Sequence, residues 1–224
     1  MPSAQQVLTE ITQALAPTNE ALRTHPYPEA LARGELPLTV LRDFVGHQYH
    51  VVKSDLRSMS LLVHRFADEP AYDFMYGLFQ GEVSAQRSLL KLAARLGLDE
   101  RELERYEPQS EGFAYAAYLA LAAAQGSAAE LACALYVNFH AWGDNCQRLS
   151  AALHRRGFTA EDTAFLDAFA VHPPSEQQVL VLIQDGLDRG VTPRALHRAT
   201  RLFQAYEKLF WDTLLALGRD VPSP

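Results

Sequence analysis

Apolar residues recur every three or four positions along almost the whole chain, the spacing that places them on one face of an α-helix. On that pattern residues 3–16 form a short amphipathic helix ended by Pro17, and a second short helix runs to about Gly34. Pro37 opens a long helix reaching about Phe66, and Pro70 opens another ending near Gly97. After an acidic patch at 99–107, helices fit 111–125, 127–156, 160–170, 175–189 and 193–217. The punctuation agrees: Gly34, Gly97, Gly157 and Gly190 stand where helices stop, and Pro37, Pro70 and Pro193 where they start. His25-Pro26-Tyr27-Pro28 reads as a rigid turn, because each proline fixes its own φ and pushes its predecessor out of the α region. The run Val179–Ile183 alone looks strand-like, but it is embedded in a helical pattern and reads as buried helix. No repeat, low-complexity tract or linker interrupts the chain. The pattern predicts one all-α domain over 1–224, with about seven or eight helices.

Each long helix carries a polar intruder in the middle of its apolar stripe. The 37–66 stripe runs Leu41, Phe44, Gln48, Val51, Asp55, Met59, Leu62, and the 70–97 stripe runs Phe74, Leu78, Glu82, Ala85, Leu89. The 127–156 stripe includes Leu135, Asn138, Trp142 and Cys146, and the last helix gives Thr200, Phe203, Glu207, Phe210 and Leu214. An uncompensated buried carboxylate costs several kcal/mol or neutralises instead, so such groups are rarely buried alone. Four helices each offering one at mid-length predict a polar pocket in the bundle centre, where helical proteins build ligand sites. Independent structural hydrogen bonds are the competing reading. Two carboxyls in one pocket are pushed apart in pKa, which supplies an acid and a base. Tyr115 and Tyr118, on the Ala-rich 111–125 helix, supply stacking surface and a phenol, or simply fill space opposite small alanines.

Composition narrows the possibilities further. A chain of 224 residues, 48% hydrophobic, has a sizeable core without disulfides or a structural metal. The formal charge of -7 argues against binding nucleic-acid phosphates or anionic membrane. Cys133 and Cys146 are 13 residues apart on one predicted helix, about 220° around its axis, and cannot bridge to each other. The first residues lack the basic and apolar regions of a signal peptide. The longest uncharged apolar stretch, Phe113 to Ala124, has 12 residues and is too short to span a bilayer. A cytoplasmic protein is the expectation.

With these residues laid out, the chain resembles the TenA (thiaminase II) family, part of the haem-oxygenase-like superfamily that also holds PqqC. The likeness begins at His25-Pro26 and Gly34-Glu35-Leu36-Pro37-Leu38 and continues through Phe113-Ala-Tyr-Ala-Ala-Tyr118 and Gly126-Ser-Ala-Ala-Glu-Leu131. It closes with Tyr206-Glu207-Lys-Leu-Phe-Trp-Asp212, similar to the family's E-x-x-F-W-[DE] ending. The resemblance implies a haem-oxygenase-like multi-helix bundle around a central pocket, assembled as a homodimer or homotetramer. It implies hydrolysis on the pyrimidine side of thiamin or its breakdown products. In the best-known branch a Cys attacks the ring, an Asp with a Tyr three residues later binds the pyrimidine, and a C-terminal Glu moves protons. Tyr115 and Glu207 match functional positions here. Asn138 stands in the place of the Cys, Trp142 in that of the Tyr following it, and Gln48 and Val51 in those of the Asp and its Tyr. Asn has no lone pair comparable to a thiolate, and Cys133 sits about 140° away around the helix. Hydrolysis by Glu-activated water stays open.

Another branch of the superfamily binds non-haem iron through E-x₆-H and H-x₃-D-x₂-H spacings. Glu82 plus seven is Leu89, and His140-x₃-Asp144 is followed by Gln147, so neither spacing is present. His47 and His50 are i,i+3 and could share an ion, but with His140 and His154 they read as solvent-facing or interface histidines. No phosphate loop and no DNA-reading element stands out. Two hypotheses lead, and a non-haem iron oxygenase-like enzyme stays open as a third. One is a cofactor-free enzyme acting on a small heteroaromatic, with Glu207 as acid/base, Glu82 supporting it, and Gln48, Asp55, Tyr115, Asn138 and Trp142 binding substrate. The other is a protein that kept the pocket and binds without chemistry.

Overall fold

Ser3, Asp99 and Ser127 each accept a hydrogen bond from the backbone N–H three residues on, and the Gln6, Glu102 and Glu130 side chains each accept one from the cap residue's own backbone N–H. These three capping boxes satisfy amides that a helix start would otherwise leave bare. The computed structural model describes residues 2–171 and 174–220, and these contain eleven α-helices and no strand. They are α1 (Ala4–Ala14), α2 (Ala16–Arg23), α3 (Pro26–Arg33), α4 (Leu41–Arg65), α5 (Tyr72–Arg95), α6 (Glu100–Arg105), α7 (Ser110–Gln125), α8 (Ala128–His154), α9 (Ala160–Val171), α10 (Glu176–Asp188) and α11 (Pro193–Arg219).

The all-α prediction holds, but two helices were missed and the start of a third was misplaced, each for a local reason. Pro17 does not simply end the first helix; the chain breaks at Leu15, and Pro17 lies in the first turn of α2, where a missing N–H costs nothing. The expected rigid turn at His25–Pro28 is the start of α3, with His25 as N-cap accepting from the Tyr27 N–H at 3.3 Å. The acidic patch at 99–107 contains α6, whose Asp99 and Glu102 make a capping box. Pro37 opens a short 3₁₀ turn, Leu38–Val40, and α4 follows it. Val179 and Ile183 lie inside α10 with their side chains buried, as the helical pattern required.

α4 packs between α5 and α7, α8 packs against α9, α10 and α11, and α11 also packs on α7. Two apolar clusters result. One gathers the rings of Phe44, Trp142, Phe165, Phe210 and Trp211. The other joins α1 and α10 to the later half of α4 and the first half of α8. Cys146 belongs to the first cluster and Cys133 to the second; both thiols are free, as their positions on opposite faces of α8 predict. Among the described residues no helix is long and apolar enough to cross a membrane.

Candidate functional site

The two clusters meet around a small cavity whose free space is about 50 Å³. Water needs roughly 10–15 Å³ of such space per molecule, so the cavity holds several waters or a fragment of a small ligand. Its walls come from the stripes identified above. α4 contributes Gln48 and, two turns later, Asp55; α5 contributes Glu82; α7 contributes Tyr115; α8 contributes Asn138 and Trp142; α11 contributes Glu207. All seven candidate site residues therefore face one enclosed space. Phe139, Phe169 and Phe210 complete an aromatic lining. Tyr118 is not among the wall residues; it packs its ring against Phe203 and Tyr206, which is the space-filling alternative.

Hydrogen bonds orient one half of the site. Trp211 Nε1, one turn beyond Glu207 on the same helix, donates to Glu207 Oε1 at 3.1 Å, and Asn138 Nδ2 donates to Glu207 Oε2. The same Asn138 amide donates to Gln204 Oε1 at 2.9 Å and accepts at Oδ1 from the Tyr115 hydroxyl at 3.2 Å. Gln204 is turned by its own partner, donating from Nε2 to Asn19 Oδ1 at 2.6 Å. An unbroken chain of amides thus runs from α2 to the carboxyl of α11. Because Asn19 presents an acceptor, Gln204 must present its oxygen to Asn138, and Asn138 must present its oxygen to Tyr115. The sequence reading missed Asn19, Gln204 and Trp211. Gln204 does lie three positions before Glu207, on the same face, but nothing in the sequence marks Asn19.

The motifs that carry the resemblance meet in space. His25 donates from Nε2 to Asp212 Oδ1 at 3.1 Å and its ring lies 6.2 Å from that of Trp211. The early His-Pro segment therefore braces the very residue that holds Glu207. His25 Nδ1 accepts from a backbone amide, so the ring is neutral, and burial lowers its pKa.

His47 requires a correction. It is fully buried, not solvent-facing. Its Nδ1 donates to Asp43 O at 2.9 Å and sits 2.8 Å from the Tyr106 hydroxyl, while Nε2 accepts from the Gln109 amide at 3.0 Å. His50 Nε2 bonds Leu103 O at 3.0 Å, so the i,i+3 pair fastens the segment around α6 onto α4. Glycines allow the close approach: a Cβ on Gly46 would meet the Tyr106 ring at 2.6 Å, and one on Gly112 would meet the His47 ring at 2.6 Å. His140 and His154 are exposed, as expected. Among the described residues no three His, Cys, Asp or Glu side chains cluster closely enough to hold a metal ion.

Burial dominates the electrostatics. Desolvation pushes the Glu207 carboxyl up to about 8, against the opposing effect of the Trp211 and Asn138 hydrogen bonds. Asp55 and Glu82 are raised by burial too, Asp55 additionally by the charge of Glu82. Both thiols are raised by burial, Cys133 to about 11, so neither is a thiolate at neutral pH.

The sign of the stability effect follows. A carboxyl that titrates higher folded than unfolded holds an extra proton in the native state, so stability falls as pH rises toward its native value. Lowered histidines work oppositely but only below about pH 6.5, and raised thiols matter only above about pH 8.5. Between pH 7 and 8.5, urea unfolding should show a loss of about 1 kcal/mol from Glu207. The loss should be smaller in Glu207→Gln, which keeps only the contributions of Asp55 and Glu82. A wild-type stability that rises across this interval contradicts the assignment.

Comparison with known proteins places this geometry. The model of the TENA/THI-4/PQQC family matches residues 12–216. The chain belongs to this family. Among solved structures, a TenA homologue from Pseudomonas syringae pv. tomato superposes with a TM-score of 0.82 at 13% identity, covering 96% of each chain. A TenA homologue from Pyrococcus furiosus gives 0.71 at 19% identity, over 93% of this chain and 99% of that one. A Shewanella denitrificans domain with a haem-oxygenase-like fold gives 0.73 at 16% identity, over 95% and 93%. At these identities the likeness concerns the fold. No curated protein matches the chain. Within this TENA/THI-4/PQQC member, Asn138 occupies the position where the resemblance puts a nucleophilic Cys, and it holds Glu207 and Gln204.

Proposed function

We propose that the protein is a TenA-type hydrolase of a small heteroaromatic, pyrimidine-like molecule, working through acid–base chemistry without a thiol nucleophile. The observation that carries this reading is Glu207: it is buried, aimed at a cavity by two hydrogen bonds, and holds its proton near neutral pH. In hydrolysis of a pyrimidinylmethyl C–N bond, the carboxylic acid of Glu207 gives its proton to the departing nitrogen. The resulting carboxylate takes a proton from the water that forms the new C–O bond, which restores the acid. Glu82 supports it as a second carboxyl on the cavity wall. Gln48, Asp55, Tyr115 and Asn138 orient the ring, and Trp142 gives it an aromatic wall.

A binding protein without turnover is the second reading, favoured by Asn138: its amide donates to both Glu207 and Gln204 where a nucleophile would stand. Incubation with an aminopyrimidine and with thiamin separates the two. Slow release of the hydrolysed pyrimidine supports the enzyme; thermal stabilisation with no product supports the binder. Neither product nor stabilisation contradicts both.

A further inference from the structure

The cavity has a second polar centre outside the Glu207–Asn138–Tyr115 network. Asp55 and Glu82 are 6% and 7% exposed, and Asp55 Oδ1 and Glu82 Oε2 are buried with no hydrogen-bond partner among the described residues. Buried acceptors are almost always satisfied, and an unpaired one costs about 1–3 kcal/mol. Yet Asp55 and Glu82 both line the cavity, so a molecule inside it can reach them. The titratable groups facing that space are Asp55 from α4, Glu82 from α5, Tyr115 from α7 and Glu207 from α11; α8 and α9 present only uncharged side chains. Among the described residues no Lys, Arg or His lines it.

We propose that Asp55 and Glu82 form a cation subsite, so that the cavity selects a ligand carrying a protonated amine or amidine and rejects phosphorylated and carboxylated analogues. A positively charged nitrogen supplies both missing donors and a countercharge in one group, as a neutral hydroxyl cannot. An anion would find no cation among the described residues that line the cavity, and its charge would oppose ionisation of all three carboxyls. The approach is biased the same way. Glu82, Phe139 and Phe169 also line an outer groove between α5 and α9, where Asp73, Ser84 and Gln178 add polar or acidic groups and, among the described residues, no basic one. Such a groove, on a chain of net charge -7, concentrates cations and repels phosphate. Empty, the two carboxyls are raised by burial, Glu82 to about 7, so that carboxyl holds part of a proton at neutral pH. A cation that binds at neutral pH therefore drives a proton out.

This inference rests on the reading of the cavity as a ligand site, though not on hydrolysis. Its test is calorimetric titration at pH 7 in two buffers of different ionisation enthalpy. The probes are 5-(aminomethyl)pyrimidine, 5-(hydroxymethyl)pyrimidine, the phosphate monoester of the latter, benzamidine and benzamide. The amine should bind at least tenfold more tightly than the alcohol, with a buffer-dependent heat that reports proton release, and the phosphate should not bind. Asp55→Asn and Glu82→Gln, each checked for cooperative unfolding, should remove most of the preference for amine over alcohol. Equal binding of amine and alcohol, or tighter binding of the phosphate, overturns the proposal. If only benzamidine binds, and benzamide does not, the cation subsite stands and the pyrimidine reading falls. If no cation in the panel binds, the subsite does not exist.

Discussion

Replacing Glu207 by Gln should lower turnover of the aminopyrimidine substrate by about 10²- to 10⁴-fold, the range that one positioned acid–base group contributes. The amide cannot carry the proton, and it cannot copy the carboxyl's contacts. Two donors converge on Glu207, Trp211 Nε1 on one oxygen and Asn138 Nδ2 on the other. A glutamine offers one acceptor and one donor, so either Trp211 or Asn138 must face an N–H. Loss of a hydrogen bond alone would lower binding and rate together. Loss of the proton carrier has a different signature: the wild-type rate should decline on the alkaline side with an apparent pKa near 8, and the residual activity of Glu207→Gln should lack that limb. A pH profile unchanged by the substitution removes Glu207 from the chemistry.

The largest stability effect belongs to Phe44. Its ring is fully buried and packs on Trp142, Phe165, Phe210 and Trp211, with centroids 6.1–6.5 Å away. Large-to-small changes in such a place remove transfer energy and leave a void that four rigid rings cannot close. Phe44→Ala should cost about 3–5 kcal/mol, a fall in Tm on the order of 10 °C for a chain this size. Phe44→Leu, which refills most of the volume, should recover most of it. Phe44 is not a wall residue of the cavity, but two of its partners, Trp142 and Phe210, are. The alanine variant should accordingly weaken ligand binding as well, through the loosened aromatic wall. A loss below 1 kcal/mol would mean that the ring cluster relaxes freely and does not brace the site.

What the sequence revealed about the site follows from helix geometry. Gln48 and Asp55, or Asn138 and Trp142, fall on one face because seven and four residues are close to whole turns, so a polar break in an apolar stripe is visible without coordinates. The convergence of four such breaks was a matter of packing, yet it was foreseeable because each lay at mid-helix. What escaped was whatever depends on side-chain reach between segments distant in sequence. Asn19 and Gln204 are 185 positions apart, and the roles of His25 and His47 depend on partners from α11 and from the segment around α6. Short helices escaped for another reason. α2 and α6 have eight and six residues, too few for periodicity to outweigh the proline and acidic residues that mark their starts. The departures from the family pattern at Gln48 and Asn138 were legible as residues. Their consequence, an amide chain that holds Glu207, became visible only in the fold.

The account turns on Glu207 being a proton-holding acid that a ligand in the cavity contacts. Carboxyl ¹³C NMR of protein labelled at glutamate, assigned through Glu207→Gln and titrated with and without 5-(aminomethyl)pyrimidine, reads this directly. The account predicts a Glu207 resonance still protonated at pH 7, titrating near 8, and displaced when the ligand is added. A resonance titrating near the ordinary glutamate value, about 4.3, and indifferent to the ligand would contradict it.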